Sequence, residues 1–265
     1  MKKLSIVAIA FAAVLLASCG GKKAEPVENT EAEKSFDQQQ VEAKIKAEVD
    51  SVAALLGQLK QTPFIQEGTK FALTDEEKKV KPEYLLTASF ADEAATLAEK
   101  YRALGALSVD RKIAALYDMP TEDYDKAIAK LSADINDPSF KAVENANNLF
   151  ETSTALYDKM NENGRINNFW QLASAALVEQ LYVINQNSDK FLTAFDDKAA
   201  ADVTYRIVLI LDAVKKLTEY DPEIKPVADA LASLETLNAT TVDEMKKQLA
   251  EGKEKIDAAR KAIIK

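Results

Sequence analysis

The chain has 265 residues, 47% hydrophobic and 29% charged, with 34 Lys and Arg against 43 Asp and Glu for a net charge of −9. This is the composition of a water-soluble globular chain, and its acidity argues against nucleic acid as a partner. It holds no His and one Cys, which removes histidine acid–base chemistry, Cys/His zinc sites and any intrachain disulfide.

Met1-Lys2-Lys3 precedes an apolar run from Leu4 to Leu16 broken only by Ser5, and Ala17-Ser18-Cys19-Gly20 follow. Two lysines before an apolar stretch of about 7–15 residues with a small-residue end predict a signal peptide over residues 1–18. The stretch is too short to remain as a spanning helix. Leu16-Ala17-Ser18-Cys19 matches the lipobox, and over this window the chain resembles a bacterial lipoprotein. The resemblance implies cleavage before Cys19, lipid of the palmitate class on its thiol, and attachment to a membrane of the cell envelope. A lone Cys fits, because the thioether consumes a thiol that would otherwise enter an oxidising compartment unpaired. Residues 19–35 contain Gly20, Gly21 and Pro26 and almost no bulky apolar side chain, so they read as a flexible tether. No Asp follows Cys19 and no acidic run stands there. By the same resemblance, the expected place is the outer membrane with the body facing the periplasm.

Residues 36–265 read as a single all-helical domain. No strand-like alternation bounded by turn residues occurs, and apolar residues recur instead at helical spacing. Val41, Ile45, Val52, Leu55 and Leu59 trace a first helix to Gln61, stopped by Thr62-Pro63. Leu73 to Pro82 holds one short helical turn. Phe90, Ala94, Leu97, Tyr101 and Leu104 form one stripe, and Val109, Ile113 and Leu116 form another out of phase with it. Gly105 lies between them, and the pattern leaves open whether one bent helix or two cover residues 89–118. A helix from Thr121 to Ile135 follows, then one from Pro138 to about Asn163 with Gly164 as the residue after its end.

Ile166 to about Asn185 and Val203 to Leu217 are apolar over most of their surface, which predicts that they form a central pair. A shorter helix runs from Glu223 to about Leu237. The last, from Thr240 or Thr241 to Ile263, carries a narrow apolar seam and three acid-before-base pairs four residues apart: Asp243/Lys247, Glu251/Lys255 and Asp257/Lys261. The expected architecture is an irregular antiparallel bundle or short α-α superhelix of about seven to nine helices.

Chemistry-bearing residues are few. Of five Arg, Arg206 and Arg165 stand in or beside the most apolar helices, where a planar cation could meet a carboxylate or phosphate. Tyr205 and Trp170 are the aromatic neighbours that would complete a ligand site with them. The competing structural reading pairs Arg206 with Asp202 one turn earlier and puts Trp170 in the core. The clusters Asp75-Glu76-Glu77, Glu122-Asp123-Asp125 and Asp196-Asp197 stand at helix starts, where acids satisfy free amides. No calcium-loop, phosphate-loop or nucleophile-elbow pattern occurs, so no metal, cofactor or catalytic residue is expected.

The reading preferred is a lipid-anchored, non-catalytic helical module that meets a protein or envelope polymer. The alternative is a small-molecule-binding lipoprotein with a cavity between its central helices. A His-independent carboxylate hydrolase is the remote third.

Overall fold

The computed structural model describes residues 36–65, 70–141, 153–219 and 221–264; the signal, the tether and Cys19 lie outside the described residues. Among these residues the protein is all-α, with twelve α-helical segments and no strand. They are α1 (Phe36–Leu56), α2 (Asp75–Lys79), α3 (Leu97–Leu116), α4 (Glu122–Ile135), α5 (Pro138–Lys141), α6 (Ser153–Glu162), α7 (Ile166–Gln186), α8 (Ser188–Phe191), α9 (Asp197–Leu217), α10 (Lys225–Ala232), α11 (Val242–Glu251) and α12 (Lys253–Ile263). Three of these are single turns, which is why the segments outnumber the long helices expected.

Local chemistry sets the helix ends. Thr74 with Glu77 and Thr96 with Glu99 form reciprocal capping boxes at the starts of α2 and α3. The Asp196 carboxylate accepts the Ala199 amide at 2.7 Å and opens α9. Past α6, Gly164 takes φ +68°, and the Arg165 amide closes back onto the Met160 carbonyl at 2.7 Å. That bears out the terminating role assigned to this glycine. The expected helix from Pro138 to Asn163 is seen as α5 and α6, and residues 142–152 between them lie outside the described residues.

Four departures from the sequence reading have physical causes. Helix α1 stops at Leu56, five residues before Gln61, because Gln58 and Leu59 close three-residue turns onto Leu55 and Leu56. Phe90 belongs to a 3-10 turn (Ala88–Asp92) that precedes α3, so the stripe from Phe90 to Leu104 spans two elements. Gly105 does not end α3; it sits mid-helix, close against the α7 backbone at Leu172. The final helix is two, α11 and α12, meeting at Gly252, whose added Cβ would stand 2.9 Å from the Gln248 carbonyl oxygen and 3.2 Å from Leu237 Cδ2. The three acid-before-base pairs there do not form ion pairs. Lys247 instead reaches forward to Glu251 at 3.9 Å, and Lys255 bonds Thr236 at 3.1 Å.

The molecule is organised around α7, which buries nearly its whole length. Its main partner is α3, and α12, α9 and α6 cover its other sides. Helix α9 is less central than its apolar run suggests, since Tyr205 and Val208 on its outer face are more than half exposed. Helix α1 lies antiparallel to α9: Glu48 meets Lys216 near one end and Lys60 meets Asp202 near the other. One continuous apolar cluster runs from Ile45 to Ile264 through all of these elements.

Candidate functional site

Arg206 and Asp202 occupy one face of α9, a turn apart, but they do not pair directly. Both carboxylate oxygens of Asp202 accept from Lys198 at 2.9 Å, and Oδ2 also accepts the Lys60 amide at 3.3 Å. The Arg206 guanidinium donates to the Lys60 carbonyl and, at 3.2 Å, to the Thr62 hydroxyl. Thr62 in turn donates to Gln180 of α7 at 2.5 Å. Two side chains four residues apart thus hold the two faces of one peptide unit's residue, fixing the chain that leaves α1 against α9 and α7. Arg206 is only 8% exposed, and burial lowers its pKa to about 10, with the Asp202 charge opposing that shift. It remains a cation at neutral pH.

Arg206 also lines a recess between α7, α9, α6 and the end of α1. The inner space is about 50 Å³, widening to about 520 Å³ when the open mouth is included. Phe169, Leu172 and Leu177 provide apolar wall, and Gln61, Gln180 and Arg206 provide polar groups. Leu172 and Leu177 of α7 and Ile210 of α9 thus face one recess with Arg206 in its wall.

The other residues singled out with Arg206 do not join it. Trp170 is fully buried and does not line the recess; it lies edge-on to Phe169 at 5.2 Å and to Tyr157 at 6.0 Å. Its indole Nε1 has no hydrogen-bond partner among the described residues. Tyr205 points outward at 59% exposure. Arg165 precedes α7 beside the Tyr101 hydroxyl, which itself donates to Asp137. The four therefore mark four separate places rather than one site. The acidic clusters act locally: Glu77 and Asp196 cap helices, Asp197 accepts the Val242 amide at 2.9 Å, and Asp125 pairs with Arg111 at 2.7 Å.

A second polar centre was not singled out from the sequence. Asp110 of α3 and Glu179 of α7 are both wholly buried. Arg260 of α12 grips Glu179 with two bonds, Nε to Oε2 at 2.7 Å and an Nη to Oε1 at 2.8 Å. The same guanidinium lies 3.9 Å over the Tyr182 ring and bonds the Tyr84 carbonyl at 3.3 Å. Asp110 accepts the Leu86 amide on Oδ2 at 2.8 Å, while Oδ1 receives no donor. Burial, and then the neighbouring Glu179, push the Asp110 carboxyl well above the usual range. Burial pushes Glu179 up as well, opposed by Arg260. Burial and the nearby Glu179 carboxylate thus favour the protonated form of Asp110, while Arg260 stands against Glu179. The signal that could have found it was two lone acids in otherwise apolar runs, Leu107-Ser108-Val109-Asp110 and Leu177-Val178-Glu179. None of the three recesses described is lined by Asp110, Glu179 or Arg260.

Among the described residues no group of three or more His, Cys, Asp or Glu stands where it could hold a metal ion, and no helix is long and apolar enough to cross a membrane. In comparisons with protein families, curated proteins and solved structures, none matches this chain.

Proposed function

We propose that this chain is a lipid-anchored protein of the bacterial cell envelope whose helical body acts as a non-catalytic interaction module, held at the outer membrane through Cys19 and facing the periplasm. The observation that carries the anchor is the sequence Leu16-Ala17-Ser18-Cys19 at the end of a short apolar leader, in a chain with no other Cys. Two chains or more on one residue make a stable anchor where a single one would be marginal. The module reading is supported by how the polar interior is used. Glu179 and Arg260 bind one another, Asp110 holds the Leu86 amide, and Asp202 with Lys198 holds the Lys60 amide, so these groups serve packing. Surface for a protein or envelope-polymer partner is available on α9, where Tyr205 and Val208 stand exposed one turn apart.

Metabolic labelling with an alkyne palmitate tests the anchor. The wild type is expected to take label and fractionate with membranes, and Cys19→Ala to do neither. An unlabelled wild type overturns the reading. For the module, a photo-crosslinking residue at position 205 is expected to trap an envelope component in cells, while one at exposed position 130 on α4 traps none. Equal trapping at both positions removes the assignment of α9 as the docking face.

A further inference from the structure

Helix α7 turns one stripe towards the recess: Phe169, Leu172, Ala173, Ala176, Leu177 and Gln180 follow at steps of three, one, three, one and three. From first to last the stripe is about 16 Å long at the helical rise. It is apolar for most of that length and becomes polar at the Gln180 end, where Arg206 and Gln61 complete the wall. Thr62 ties the two ends of this polar group together, since it accepts from Arg206 and donates to Gln180. The recess is therefore a trench with a greasy length and a cationic end.

The cation is what distinguishes the trench from a packing defect. A buried charge is normally met by an opposite charge, because its lost hydration is recovered only by a close partner. Arg206 is more than nine-tenths buried, yet its two bonds go to a carbonyl and a hydroxyl, both neutral. Asp202, the nearest acid on its helix, has both oxygens taken by Lys198 and the Lys60 amide. A guanidinium carries five N–H donors in a planar fork suited to a carboxylate, and two are used here. Contrast Arg260, which is less deeply buried and whose fork is filled by Glu179.

We infer that the trench binds a small alkyl monocarboxylate, with the carboxylate on Arg206 and Gln180 and the tail laid along α7 over Leu177 and Leu172 towards Phe169. The inner space of about 50 Å³ holds about four water-sized groups, enough for a short tail but not for a ring system or a sugar. A neutral molecule of the same length would leave the guanidinium unmatched, so discrimination should rest on charge. A phosphate monoester would bring more charge than one cation balances. The site stands independently of the lipid anchor and adds a small-molecule input to the module.

The test is thermal unfolding of the full mature chain in dodecyl maltoside with hexanoate, propionate or hexanamide. Hexanoate at about ten times its Kd is expected to raise the melting temperature by about 3–6 °C, propionate by less at equal concentration, and hexanamide not at all. Two variants locate the effect. Arg206→Met removes the cation and is expected to abolish the hexanoate shift. Ala173→Leu fills the trench at a half-buried wall position without touching the polar end, and is expected to abolish it too while retaining a helical circular dichroism spectrum. If Arg206→Met fails to fold, Ala173→Leu and the amide comparison still decide. No shift in the wild type, an equal shift with hexanamide, or an undiminished shift in Ala173→Leu overturns the inference.

Discussion

Gly105 of α3 faces the Leu172 carbonyl of α7 so closely that a Cβ on the glycine would stand 2.4 Å from that oxygen, and 3.3 Å from the Ala176 amide nitrogen. Backbone, not a flexible side-chain tip, fills the place. The two helices can approach this far only because one residue has no side chain.

Gly105→Ala is therefore expected to destabilise the protein, by about 1–3 kcal/mol, even though alanine favours helix by up to about 1 kcal/mol over glycine. The overlap lies with backbone, so α3 and α7 must move apart or shift along one another. Urea unfolding of the two proteins measures it. A variant as stable as the wild type would mean that this crossing is looser than described.

The Arg260–Glu179 pair fastens the C-terminal helix to the middle of the core. Arg260→Met leaves a fully buried carboxylate without its cation, and a loss of about 3–5 kcal/mol is expected. Glu179→Gln with Arg260→Met should recover part of that loss, since neither charge then remains. A double-mutant cycle by denaturant unfolding checks the recovery, and simple addition of the two single losses would contradict it.

Asp110 makes stability depend on pH in a defined direction. Its folded pKa is raised by burial and by Glu179, whereas in the unfolded chain it titrates in the ordinary range. Below both values each state holds the proton and no difference arises. As pH rises from the ordinary range through the raised folded value, the unfolded state has already released a proton that the folded state retains, and stability falls. Asp110→Asn keeps an acceptor for the Leu86 amide without the ionisation. Unfolding free energies are expected to match the wild type near pH 4 and to exceed it at pH 8. A difference that is flat across this range would locate the proton elsewhere.

Trp170 is the only tryptophan, so its fluorescence reports one place. Fully enclosed by Tyr157, Phe169 and core aliphatics, it is expected to emit to the blue of free tryptophan and to resist quenching by acrylamide until the chain unfolds. An exposed, readily quenched emission would put this ring at a surface and contradict the packing around α7.

What the sequence determined by itself was short-range. The lipobox, capping acids such as Asp196 and Glu77, the αL stop at Gly164 and the 3.6-residue apolar period all depend on residues within a few positions of one another, so the helices were legible from the linear order. Helix ends were less so. Helix α1 ends at Leu56 and the last helix divides at Gly252 where the apolar period alone would continue, because the three-residue turns at Gln58 and Leu59 and the close approach of Leu237 outweigh that period.

Tertiary structure alone decided which polar groups meet. Glu179 and Arg260 are 81 positions apart, Lys60 and Arg206 are 146 apart, and no spacing rule links residues at such separations. Arg206 and Asp202 sit at ideal spacing for an ion pair, yet the chain leaving α1 comes between their expected partners and takes both. Likewise the apolar run Ile207–Leu211 suggests burial all round, but α9 has neighbours on one side only, which leaves Val208 exposed and Ile207 buried. Helical period assigns residues to faces; only the packing of α1, α7 and α12 decides which faces are covered, because burial is a property of the neighbours that arrive and not of the residue that waits for them.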